Sequence, residues 1–163
     1  MKLAHVLVLS GLSLAAPFAQ SADTAEPPAP HAAAPSADKL AAARKLIDAR
    51  QWGAAVAELK RVDDRSSADW NNLMGYTLRK GATPDLAASE KYYDAALRID
   101  PHHRNTLEYS GELYLMKGDL AKAQSRLASL QSECGTGCSQ YGDLKTAIDR
   151  YVANGNKYVS SGW

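Results

Sequence analysis

Cys134 and Cys138 are the residues of this 163-residue chain whose type and spacing most directly suggest chemistry. They are its only cysteines, set as C-x3-C around Gly135-Thr136-Gly137. Such a pair has three uses. The first is a disulfide, expected where an even pair at short spacing meets an oxidising compartment. The two glycines permit the sharp turn this needs. Closing so small a loop contributes ~2 kcal/mol on the chain-entropy model. The second use is a redox dithiol, but thiol oxidoreductases place C-x-x-C at a helix start near a βαβ unit. The third is a soft metal site, with His102 and His103 as added ligands. The disulfide Cys134–Cys138 is the preferred reading. A thiol or metal carrier is the alternative.

No other catalytic set is visible. The remaining histidines are His5 and His31, and neither G-x-S-x-G, H-E-x-x-H nor a glycine-rich phosphate loop occurs. The chain carries 19 Lys+Arg against 18 Asp+Glu, with no basic tract. That argues against binding to nucleic acid or to an anionic membrane surface. The expectation is a protein that is not an enzyme and has no cofactor and no metal.

Residues 1–21 have the form of a signal peptide: Lys2, a mostly apolar run from Leu3 to Ala16, Pro17, then Ala19-Gln20-Ser21. The run is short of the ~20 residues that span a bilayer. No cysteine follows it to mark a lipoprotein. Export to the bacterial periplasm is expected, with no membrane insertion after cleavage. Residues 22–37 hold four prolines among small residues and no apolar period, as in an extended linker.

The remainder reads as helices in pairs. Asp38 is a candidate N-cap before Leu40, Ala43, Leu46 and Ile47 at helical spacing, and Val56, Leu59 and Val62 mark a second face. Helices are expected over about 67–80, 84–99, 103–117 and 120–131, and a seventh over 143–153. Asp100-Pro101 ends one of them, because the residue before proline is pushed out of the α region. Gly118-Asp119 turns another, with Gly111 and Ala123 as the small residues that let the two helices approach. Leu144, Ile148, Tyr151 and Val152 give the seventh helix one apolar face, and Asn154-Gly155 a stop.

Two segments repeat. Asn71-Asn72-Leu73-Met74-Gly75-Tyr76 is followed by Tyr92-Tyr93-Asp94-Ala95-Ala96-Leu97-Arg98-Ile99-Asp100-Pro101. Tyr109-Ser110-Gly111-Glu112-Leu113-Tyr114 is followed by Gly118-Asp119-Leu120-Ala121-Lys122-Ala123. Gly75 and Gly111 lie 36 positions apart, near the period of about 34 in tetratricopeptide (TPR) repeats. Residues 38–132 therefore resemble the TPR family, in repeats 38–67, 68–103 and 104–132. Residues 133–155 form a cysteine turn and capping helix, similar to the end of small exported bacterial TPR proteins, and 156–163 a tail.

The resemblance implies an all-α fold: a short right-handed α-solenoid of three helix pairs plus a C-terminal capping helix. It also implies that the first helix of each pair lines a concave face. By register these positions are Leu40, Arg44 and Asp48, then Asp69, Asn72, Tyr76 and Arg79, then Asn105, Glu108, Tyr109 and Glu112. The binding set expected from them is Arg44, Asn72, Tyr76, Arg79, Glu108, Tyr109 and Glu112. Asn72 and Arg79 suit a peptide backbone, the tyrosines apolar side chains, and the glutamates basic groups. The lysine-rich set with which some TPR domains clamp a terminal carboxylate is not matched. The function expected is a non-catalytic adaptor or assembly factor holding a protein or peptide segment. Self-association through exposed repeat ends, with Trp163, is a second reading.

Overall fold

Four of the seven described helices begin at a side chain that accepts from their first turn. The computed structural model describes residues 38–159. The expected signal peptide, the linker 22–37 and residues 160–163, with Trp163, lie outside the described residues. Seven helices follow in order: α1 Ala41–Asp48, α2 Trp52–Val62, α3 Ala68–Lys80, α4 Leu86–Ile99, α5 Arg104–Met116, α6 Leu120–Cys134 and α7 Ser139–Ala153. The described residues contain no strand.

Ser67, Asp85 and Asp119 cap α3, α4 and α6. Each accepts from a backbone N–H three residues on, at 3.2, 2.9 and 3.0 Å. His103 does the same for α5 through Nδ1, accepting from Thr106 N at 3.2 Å. Asp38 does not cap α1 directly. It accepts from Leu40 N at 2.9 Å, so the chain makes one turn before the helix starts at Ala41.

Two ends differ from the sequence reading. α6 continues to Cys134 and α7 begins at Ser139, so only residues 135–138 are left between them. Fully buried Leu130 carries the apolar stripe of α6 into its last turn. Cys134 thus ends α6 and Cys138 is the N-cap residue of α7, with Cα atoms 5.9 Å apart and a disulfide between them. Gly135 turns the chain at φ 62°, a region open to glycine.

Consecutive helices pack on one another along the chain, and α3 also meets α5, and α5 meets α7. Those contacts skip one helix, so α3, α5 and α7 form one layer and α4 and α6 lie behind it. One apolar cluster gathers Leu40, Ala43, Leu59, Trp70, Leu73 and Met74 from α1 to α3. The buried Trp70 indole donates to the Leu59 carbonyl at 2.7 Å and ties α3 to α2. A second cluster, around Leu107, Leu115, Leu130, Leu144 and Ile148, joins α5, α6 and α7.

The two repeat glycines serve different neighbours. A Cβ on Gly75 would meet the buried Tyr93 ring of α4 at 2.7 Å. One on Gly111 would meet Leu144 of α7 at 2.5 Å. Gly111 therefore admits α7 rather than α6, contrary to its expected pairing with Ala123. Gly142 in α7 has nothing within 4 Å of such a Cβ. Gly142→Ala should stabilise by ~0.5–1 kcal/mol through helix propensity. Gly111→Ala should destabilise by ~1–3 kcal/mol through overpacking against Leu144. Urea unfolding of the two variants checks the contrast, and equal shifts would refute the packing account.

Candidate functional site

Helices α3 and α5 are joined by four side-chain contacts between residues 33 or 34 positions apart. His103 Nε2 donates to Asp69 Oδ1 at 3.0 Å, since its Nδ1 is occupied as the α5 cap. Thr106 Oγ1 donates to Asn72 Oδ1 at 3.1 Å. The Tyr76 and Tyr109 rings lie 4.6 Å apart, centroid to centroid. Arg79 Nη2 meets Glu112 Oε2 at 2.6 Å. The series continues outward on both sides. Arg44 of α1 donates to Asp69 at 3.2 Å, and Gln140 of α7 donates to Asn105 at 2.8 Å.

The Arg79–Glu112 pair is the deepest of these contacts. Arg79 is 2% exposed and Glu112 5%. The guanidinium lies 5.6 Å from the Tyr76 ring centroid and 5.8 Å from that of Tyr109, within cation–π reach. Its Nε donates to the Tyr93 hydroxyl at 3.4 Å. Burial works against the Arg79 charge, but Tyr93 and Glu112 outweigh it and hold the guanidinium protonated. Burial raises the Tyr76, Tyr93 and Tyr109 hydroxyls, so all three stay neutral at physiological pH.

Glu108 stands one turn from Glu112 and is 8% exposed. Burial, with the nearby charges of Glu112 and Asp143, pushes its carboxyl up to about 8, against a smaller pull from Arg79. It is therefore mostly neutral at pH 7. Glu108, Glu112 and Arg79 turn into the protein, so these three of the seven expected binding residues hold the helices rather than a solvated face. Leu40, also placed on that face by register, is buried in the first core.

The other four come together. Arg44, Asn72, Tyr76 and Tyr109 line one cavity of about 250 Å³ between α1, α3 and α5, with Ile47 and Leu73 in its wall and Asp48 and Asn105 beside them. A second cavity, of about 390 Å³, shares Ile47, Asp48 and Tyr76 and adds Arg50, Trp52 and Lys80. The two make one groove along α1. Ile47, Leu73 and Trp52 have the look of core in the sequence, because apolar period alone does not tell a groove wall from an interior. The spacing of Tyr76 and Tyr109 is the signal that could have found the site.

The histidines are used elsewhere. His102 Nδ1 pairs with Glu133 at 2.6 Å, a hydrogen bond that raises the imidazole. With both cysteines in a disulfide, the soft-ligand set has no thiolates to offer. Among the described residues no three His, Cys, Asp or Glu side chains converge as metal ligands. No protein-family model matches the chain, and neither a curated protein nor a solved structure is significantly similar to it.

Two predictions test the buried charges. Arg79→Met or Glu112→Leu alone should cost ~3–5 kcal/mol, because each leaves its partner buried and uncompensated. The double variant Arg79→Met/Glu112→Leu should regain most of that loss. A double-mutant cycle in urea measures it, and additive losses would mean the pair is not coupled. For Glu108, the folded chain keeps a proton that the unfolded chain, at the ordinary 4.5, has released. The folded state then binds more protons between about pH 4.5 and 8, so stability falls as pH rises through that window. Glu108→Gln should flatten this fall and raise the thermal midpoint at pH 8. Parallel pH profiles for the two proteins would show that Glu108 does not cause the slope.

Proposed function

We propose that this chain is an exported, non-catalytic, TPR-like protein that holds a peptide segment in the groove between α1, α3 and α5. The observation that carries the reading is the cavity formed by Arg44, Asn72, Tyr76 and Tyr109. Its walls expose polar and apolar surface in about equal parts, so a segment can be held there by both hydrogen bonds and apolar contact. The tyrosine rings and Leu73 suit an apolar side chain. Asn72, 2% exposed, accepts from Thr106 through Oδ1 and sits in the floor of the cavity.

Three observations support the family reading. Contacts between α3 and α5 recur at 33 or 34 positions, and the TPR period is about 34. The alternation of a front layer, α3, α5 and α7, with helices behind it suits a short right-handed solenoid of three pairs, α1–α2, α3–α4 and α5–α6, capped by α7. The Cys134–Cys138 disulfide suits the oxidising compartment that residues 1–21 would reach. Arg50 and Lys80 at one end, with Arg44 and Asp48 at the other, leave the groove charged but mixed in sign. Its ligand is then selected by fit and hydrogen bonding more than by net charge.

Site-specific photocrosslinking in the exporting cell tests the groove. A photoreactive residue in place of Asp48, exposed at the groove mouth, should give discrete adducts. The same residue in place of Lys91, exposed on α4, should give none. Adducts of equal yield from both positions would refute binding through this face.

A further inference from the structure

The described chain does not end with α7. Gly155 and Asn156 both take positive φ, 67° and 61°, and turn it back. Asn156 N donates to the Tyr151 carbonyl at 2.9 Å, and Asn154 Nδ2 to the Lys157 carbonyl at 3.0 Å. The reversal lays residues 157–159, which form no helix, across α5 and α7. Tyr158 packs against the second apolar cluster. With Lys157 and Val159 it closes a cavity of about 40 Å³ over Glu112, Leu115, Ala147 and Arg150.

Glu112 is the shared element. Its carboxylate grips Arg79, and the far side of that pair is stacked on Tyr76 and Tyr109, which line the open groove. Arg79 and Glu112 both act on the Tyr158 hydroxyl, which burial raises. One buried ion pair therefore adjoins both the groove tyrosines, through Arg79, and the chain-supplied Tyr158, through Glu112. Among residues 154–159 Tyr158 alone is half-buried and the others are exposed, so its ring is the main side-chain anchor of the segment.

We infer that residues 156–159 are a built-in occupant of the front helical layer, and that the face beneath them receives an extended partner peptide presenting a tyrosine. Such a peptide reaches this face by displacing Tyr158. The inference rests on the proposed peptide-holding role but fails separately from it. Crosslinking from position 48 probes the α1 groove, whereas the test below probes only the face under the tail.

The probe is a labelled, end-capped peptide with the sequence of residues 154–159, Asn-Gly-Asn-Lys-Tyr-Val, titrated against the full chain by fluorescence polarisation. Removing a competing occupant raises apparent affinity by the reciprocal of the open fraction, ~10-fold for a tail docked about nine-tenths of the time. Tyr158→Ala should therefore bind the peptide about 10-fold tighter than the wild type. A peptide with alanine in place of its tyrosine should bind neither protein. Equal affinity of both proteins for the tyrosine peptide, or undiminished binding of the alanine peptide, overturns the inference. A second measurement needs no variant. Excess tyrosine peptide should move the Tyr158 amide resonance of the 15N-labelled wild-type chain toward its position in the free peptide. An unmoved resonance at saturating peptide overturns the inference as well.

Discussion

The ion pair between Arg79 and Glu112 is the constraint on which the rest of the front layer depends. Both side chains are almost wholly out of water. Desolvating two charges costs several kcal/mol each, and only close geometry with further hydrogen bonds returns it. That requirement fixes the register of α3 against α5. A slip of one residue would swing each charge away from its partner and leave it in an apolar interior. The other contacts between the helices sit where this register puts them: Tyr76 on Tyr109, Asn72 on Thr106, Asp69 on His103. Their partners are neutral or more exposed, and breaking any one costs less. A polar pair thus specifies an alignment that the surrounding leucines, which tolerate sliding, would not.

The groove exists because α1 does not join the layer in the same way. Its Arg44 reaches Asp69 of α3 across 25 positions rather than 34. The first pair is shorter, and the left-handed turn at Arg50 brings α2 back early. Trp52 of α2 then meets Tyr76 edge-on, with ring centroids 6.2 Å apart. The space that another rung would have filled is open and is walled by Ile47, Leu73 and the two tyrosines. The short first helix pair is accordingly the source of the cavity.

Much of the helix pattern could be read from the chain because caps and breakers are local. Ser67, Asp85, Asp119 and Asp100-Pro101 mark ends through neighbouring atoms, and the helices start or stop within a residue or two of them. The end of α6 and the start of α7 were harder to read. Ser, Gln and Cys in 131–141 carry no strong apolar period, and Leu130 and Leu144 hold those turns through tertiary packing. The candidate site was legible only in part, for a related reason. Helical register places Arg44, Asn72, Tyr76 and Arg79 on one expected face, but not the depth at which each lies. Burial of Arg79, Glu108 and Glu112 depends on how closely α3, α5 and α7 approach. Between α5 and α7 that distance is set by Gly111 receiving Leu144.

The use of charge inside the layer changes what the outside can recognise. Two glutamates and an arginine that a flat reading would offer to a ligand are withdrawn, one pair by mutual neutralisation and Glu108 by holding its proton. Arg44 is tied to Asp69 and Asp38 at 3.2 and 3.5 Å. What reaches solvent along the groove is then largely ring faces, amides and aliphatic surface, with charges at the ends. Long-range attraction is weak for such a surface, and close fit decides what stays. An uncharged tyrosine, which burial favours over its ionised form, is the kind of side chain that this layer already accepts at five buried or half-buried positions of its own, Tyr76, Tyr109, Tyr114, Tyr141 and Tyr151.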